Sequence, residues 1–145
     1  MFNPEPLPQK PFLYHALTLA YMGDAVFEIY VRQHLLSRGL LKAHELHKAA
    51  TRYVSAKAQA RMMNHLLEEG QLSEREQEIA RRGRNAKPAT VPKHTPISTY
   101  HMSTAFESVL GYLFLDKQTE RLEELITYSL SIIDRNEGQR NEGED

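Results

Sequence analysis

Three features of the sequence predict an all-α fold. No segment of strand length alternates apolar and polar residues with a period of two. Apolar residues recur instead at helical spacing through several long windows. Helix punctuation separates those windows, with Gly39 and Gly70 as stops and Ser55 and Ser73 as N-caps.

Taken in order, residues 1–11 carry four prolines and predict a loosely ordered N-terminal arm. Apolar positions at Leu13, Leu17, Tyr21, Val26 and Tyr30 predict a first helix from about Leu13 to Ser37, stopped by Gly39. A second fits Lys42 to Tyr53, and Ser55 caps a third that reaches Glu69 ahead of Gly70. Ser73-Glu-Arg-Glu76 is a capping box and opens a short charged helix ending near Gly83. The stretch 84–98 holds three prolines and no periodicity, and it reads as a long loop of the kind that carries function. Ser98 or Thr99 then caps a helix from Tyr100 to Leu115, and Thr119 caps the last, to about Ile133. The division expected is an arm over 1–11, one helical domain over 12–133 and a disordered polar tail over 134–145.

A chain of 145 residues is long enough for one domain with a real core. It has no cysteine, which excludes a disulfide framework and fits a reducing compartment. The N-terminus has no apolar core of signal-peptide length and no later apolar run approaches a membrane span, so the expected location is the cytoplasm, with no membrane partner. The net charge of −1 conceals strong segregation. From Ile79 to Phe106 there is no Asp or Glu, while Arg81, Arg82, Arg84, Lys87 and Lys93 fall inside that window. Between Val31 and Arg61, seven basic residues face one acid, Glu45. Such segments are suited to phosphates.

Two carboxylates stand in otherwise apolar runs. Asp24 sits within Leu19-Ala-Tyr-Met-Gly-Asp-Ala-Val26 and at helical spacing shares a face with Leu17, Ala20, Tyr21, Phe27 and Val31. Glu107 sits within Ser103-Thr-Ala-Phe-Glu-Ser-Val-Leu-Gly-Tyr-Leu-Phe-Leu115. A carboxylate buried on such a face costs several kcal/mol unless a cation meets it. Each acid lies near a glycine, Gly23 or Gly111, so the two helices can cross closely enough to clamp a hard cation. Magnesium suits one or two carboxylates, the remaining positions going to water and substrate phosphate. Taken singly, either acid reads first as a solvent-facing side chain.

The run around Gly23-Asp24 resembles the signature helix of the ribonuclease III endonuclease domain, and Thr104-Ala-Phe-Glu-Ser-Val-Leu-Gly-Tyr-Leu-Phe-Leu-Asp116 resembles that domain's second acidic helix. The resemblance spans about Leu13 to Ile133. It departs from the family pattern at Leu17, Ala20 and Thr104, where further acids are usual, so only Asp24 and Glu107 carry over as catalytic and metal-binding residues. With no double-stranded-RNA-binding domain after the helical one, and with the Arg82-Gly-Arg-Asn-Ala-Lys87 segment, the chain is similar to the reduced bacterial branch, Mini-ribonuclease III.

That resemblance implies a ribonuclease III-like helical bundle acting as a homodimeric, Mg²⁺-dependent endoribonuclease that leaves 5′-phosphate ends. Its implied substrate is duplex RNA in the precursor of large-subunit (23S) ribosomal RNA, with a ribosomal protein on that substrate as a further candidate partner. Arg82, Arg84, Asn85 and Lys87 are the first RNA-binding candidates, extended by Lys93 and His94, with Arg52 and Lys57 behind them. Tyr21, Met22, Phe27 and Tyr30 offer apolar surface for a two-fold interface. Glu28 is a candidate neighbour of the site, and His44-Glu-Leu-His47 reads as helix surface. Two other classes compete: a non-catalytic RNA-binding or ribosome-assembly module on the same fold, and an all-α interaction protein.

Overall fold

The computed structural model describes residues 4–88 and 90–144, with side chains through Arg135. Every regular element among them is helical. A 3-10 turn at Pro11–Leu13 leads into α1 (Ala16–Ser37), α2 (Ala43–Val54), α3 (Ala56–Glu68), α4 (Glu74–Asn85), α5 (Ile97–Leu115) and α6 (Thr119–Glu144). No helix among the described residues is long and apolar enough to cross a membrane.

The ends of these helices follow local chemistry. The His15 imidazole accepts a hydrogen bond from the Leu17 amide at 3.1 Å and starts α1. Gly39 and Gly70 follow α1 and α3 with φ of 87° and 63°, the left-handed conformation a helix stop requires. Ser55 accepts from the Ala58 amide at 3.2 Å, and Ser73 and Glu76 close the capping box, their bonds measuring 3.2 and 2.9 Å. Glu76 is only 3% exposed. Burial alone would raise its carboxyl, yet hydrogen bonds from Arg121 on α6 and from Ser73 hold it below the usual range.

The core centres on α5. From Ser103 to Leu113 nearly every residue is buried, because α1, α3 and α4 pack around this helix and α6 closes the bundle. A helix enclosed on all sides must be apolar all round, which explains why its sequence has so little amphipathic signal.

Three boundaries differ from the sequence reading. Helix α4 continues past Gly83 to Asn85, so Arg82, Arg84 and Asn85 are helical rather than part of a loop. Gly83 serves packing: a Cβ there would lie 2.8 Å from Ala105 Cα and from Ser108 Oγ. The helix stops where Ala86 turns extended, just ahead of Lys87-Pro88. Helix α5 starts at Ile97 behind Pro96 with no side-chain cap, so neither Ser98 nor Thr99 has the capping role. Finally, the backbone of α6 stays helical to Glu144, through the segment read as a disordered tail. The first residue of that segment, Asp134, is tied to α2 and to the end of α1. It accepts from Tyr53 Oη at 2.6 Å and from Arg38 at 2.8 Å, with His34 3.3 Å away. Asp145 lies outside the described residues.

Candidate active site

Where α1 and α5 cross, main chain meets main chain. A Cβ on Gly23 would fall 1.8 Å from the Glu107 carbonyl oxygen, and one on Gly111 would fall 1.8 Å from the Leu19 carbonyl oxygen and 2.9 Å from the Gly23 nitrogen. Both positions therefore require glycine for close approach rather than for flexibility. The crossing places Asp24, which follows Gly23, beside Glu107, which precedes Gly111 by one turn.

The two acids line one cleft of about 350 Å³. Its walls are Leu17, Ala20 and Tyr21 from α1, Tyr100 and Thr104 from α5, and Pro88 and Thr90 from the α4–α5 connection. Leu17, Ala20 and Thr104 are the three places where the family pattern carries further acids, and here they present hydrocarbon or a hydroxyl. The Thr104 hydroxyl donates back to the Tyr100 carbonyl at 3.1 Å. Asp24 is exposed, on the outer edge of α1 together with Tyr21, while Phe27 and Val31 point into the core. The inward face expected for Asp24 is therefore only its neighbour, because an almost uniformly apolar helix gives periodicity nothing to resolve.

The electrostatics of the pair are unfavourable without a cation. Burial, followed by the adjacent Asp24 carboxylate, pushes the Glu107 carboxyl up to about 9, against a smaller opposing effect from the Gln59 amide. At neutral pH the pair therefore keeps one proton. Two acids held together at such a cost fit a divalent cation, which would replace that proton. Among the described residues no group of three or more His, Cys, Asp and Glu side chains could hold a metal.

Gln59 was missed by the sequence reading. It is 3% exposed on α3, donates from Nε2 to the Val54 carbonyl at 3.2 Å, and contacts Glu107. Its Oε1 is buried and has no hydrogen-bond partner among the described residues. An unmet buried acceptor costs about 1–3 kcal/mol. The available signal was its helical spacing, which puts Gln59 on the face of α3 that carries Met62, Met63 and Leu66.

With this geometry in hand, comparison with known proteins is decisive. The Ribonuclease III domain model matches residues 17–118. The chain is 48% identical over 128 residues to the Mini-ribonuclease 3 of Enterococcus faecalis, covering 88% of this chain and 94% of that one. It is 46% identical over 122 residues to the Mini-ribonuclease 3 of Streptococcus pneumoniae, covering 84% and 95%. The chain belongs to the Mini-ribonuclease III family. A crystal structure of a Fusobacterium nucleatum protein has the same fold, with a TM-score of 0.73 at 28% identity, covering 82% of this chain and 93% of that one. Mini-ribonuclease III is an endoribonuclease of the ribonuclease III class, which sets aside both competing readings.

Around the acid pair of this Mini-ribonuclease III, the basic candidates separate. Arg84, Asn85 and Lys87 are exposed and line a shallow hollow with Ser98, His101 and Met102. Lys93 and His94 are exposed further along the connection. Arg82 turns the other way: its guanidinium lies 4.6 Å from the centre of the Phe12 ring and donates to the Phe12 carbonyl at 2.9 Å. Arg75 covers the same ring at 3.7 Å, so Arg82 helps fasten the N-terminal arm to α4. Arg52, on α2, lies 5.9 Å from the Tyr53 ring, and Lys57 is exposed on α3. Neither lines the cleft with the acids.

The apolar candidates also separate. Phe27 is fully buried against Phe106, and the Tyr30 hydroxyl donates to Glu123 at 2.9 Å. Met22 is half-buried, whereas Tyr21 is 78% exposed, as are Ile29 at 66% and Leu36 at 52% further along α1. Glu28 pairs with Arg32 across one helical turn at 3.3 Å, and His44 and His47 are exposed on α2.

Proposed function

We propose that this Mini-ribonuclease III is a Mg²⁺-dependent endonuclease that cuts double-stranded RNA in the precursor of large-subunit ribosomal RNA and acts as a homodimer. The observation that carries the chemistry is the convergence of Asp24 and Glu107 in one cleft. Those two side chains would hold Mg²⁺, which when bound activates a water and polarises the phosphoryl oxygen of the strand. Leu17 and Ala20 add no charge, so the cleft leaves room for a phosphate that would be repelled by a denser cluster of acids. Tyr21 and Tyr100 flank the pair in the same cleft. The family supports the ribosomal substrate and the ribosomal protein as its companion. Dimerisation is supported by the exposed apolar side chains of Tyr21, Ile29 and Leu36 on α1, which an isologous interface would cover.

Arg84 and Lys87, with Asn85, Lys93 and His94, supply the grip on the duplex. A-form RNA is held chiefly through its backbone and 2′-hydroxyls. Changing Arg84 or Lys87 to Ala should weaken binding to all duplexes alike and reduce the salt slope by about one unit for each phosphate that is no longer neutralised. Filter binding from low to high salt checks this, and an unaltered slope would remove α4 and its following segment from the interface. Incubating a long duplex RNA with the protein in Mg²⁺ or in EDTA tests the proposal as a whole; scission should occur only with the metal.

The raised Glu107 carboxyl makes a further prediction. The unfolded chain gives up that proton near 4.5 and the folded, metal-free chain only near 9. Folding therefore becomes less favourable as pH rises between those values, since above 4.5 the folded state alone must retain the proton. Melting scans in EDTA should show stability declining from about pH 5 to about pH 9 through this group. Stabilisation by Mg²⁺ should grow over the same range, because the cation displaces a proton.

A further inference from the structure

We infer that His101 is a further substrate-binding residue, holding with Arg84 and Lys87 one phosphate of the duplex beside the cleft of Asp24 and Glu107. The inference rests on the reading of α4 and its following segment as the grip on the duplex. Arg84, Asn85 and Lys87 share a hollow with Ser98, His101 and Met102 from the start of α5. Among the described residues no carboxylate lines it. Two cations and an imidazole around one hollow suit an anion. The acids Glu74 and Glu78 of α4 line, with Arg81, an adjoining hollow that shares Arg84 and Met102.

The imidazole differs from its neighbours in being held. Arg84, Asn85 and Lys87 are exposed, whereas His101 is half-buried and its ring meets the Tyr100 ring edge-on, with 6.2 Å between centres. Its Nδ1 is buried without a hydrogen-bond partner among the described residues, which leaves Nε2 as the nitrogen that can meet a ligand in the hollow. Tyr100 in turn lines the cleft with Asp24 and Glu107. Consecutive residues of α5 thus put one ring in the cleft and the next in the hollow, so the two depressions share a wall. A phosphate held at His101 therefore belongs to the strand close to the place where the acids stand. Phosphate neutralises Arg84 and Lys87 and favours the charged form of an imidazole set among them. The charged ring then donates from Nε2 to a phosphate oxygen, the proton having come from solvent.

The experiment measures affinity for a short duplex RNA in EDTA at about pH 6 and about pH 8, the range in which imidazoles change charge. It uses the full chain, His101→Gln, His101→Arg and Arg84→Ala, with melting temperatures taken alongside. Parent affinity should rise roughly 5- to 10-fold from the higher pH to the lower, with a salt slope steeper by about one unit, as one more cation meets phosphate. His101→Gln keeps a polar side chain without a charge and should lose that rise. His101→Arg is cationic throughout and should bind at the higher pH about as tightly as the parent does at the lower. A ring kept only for packing would shift the melting temperatures of both variants and leave the pH response in place. A pH response in folded His101→Gln equal to the parent's overturns the inference, as does His101→Arg binding no tighter than the parent at the higher pH. If Arg84→Ala leaves affinity and salt slope unchanged, the duplex grip itself fails and His101 with it. Weaker binding in Arg84→Ala beside an unchanged pH response in His101→Gln removes only the role assigned to His101.

Discussion

Replacing Asp24 with Asn should lower the cleavage rate by on the order of 10³ or more, equivalent to about 4 kcal/mol of transition-state stabilisation. The substitution keeps side-chain size and one acceptor oxygen but removes the charge that a cation needs. Because Asp24 is exposed on the outer edge of α1, the fold should change by no more than about 0.5 kcal/mol. Removing its charge also relieves Glu107, whose carboxyl it pushes upward, so the metal-free variant should melt at or slightly above the parent temperature. Duplex affinity, which we propose Arg84 and Lys87 carry, should stay within about three-fold, about 0.7 kcal/mol. Single-turnover cleavage in Mg²⁺ together with gel shifts in EDTA separates these quantities. Unimpaired scission by Asp24→Asn would show that the cleft between α1 and α5 is not where the strand is cut.

The second large effect belongs to the glycines. Gly111→Ala and Gly23→Ala each gain about 1 kcal/mol in helix propensity. Each also drives a methyl group to 1.8 Å from a backbone carbonyl oxygen, a neighbour that no rotamer change can move aside. The helices must separate instead, and overpacking of a close-packed core costs about 1–3 kcal/mol and more when backbone has to shift. A net loss of about 3 kcal/mol, or roughly 10 °C in melting temperature, is the expected outcome for either variant. Cleavage should fall as well in whatever remains folded, since the same shift separates the two acids. A change of less than about 0.5 kcal/mol in urea unfolding would mean that the crossing is looser than these distances require.

The glycines also show how much of this molecule was legible beforehand. Gly23 and Gly111, each close in sequence to an acid, were enough to anticipate two helices crossing closely with their carboxylates together, because no other residue permits main-chain contact. Helix stops were equally readable at Gly39 and Gly70, where the residue type and the backbone angle express one steric fact. Gly83 misled for the converse reason: it is a packing glycine within α4, and sequence alone does not distinguish the two uses. The exposure of Asp24 was hidden because α1 is apolar on nearly every side. The arrest of Arg82 on Phe12 depends on a contact across 70 residues of chain, which no local pattern encodes. Gln59 shares its helix face with Met62, Met63 and Leu66, but with Lys57 and Arg61 two residues away on either side its burial did not stand out in the sequence.

The end of α4 and the connection that follows bear the cations proposed to grip the duplex, and Pro88 and Thr90 of that connection wall the cleft. From Lys87 to Pro88 is a single peptide bond. Under the proposed reading, RNA gripped at Lys87 would lie directly beside the cleft. In that case the end of α4 would fix where the strand meets the two acids.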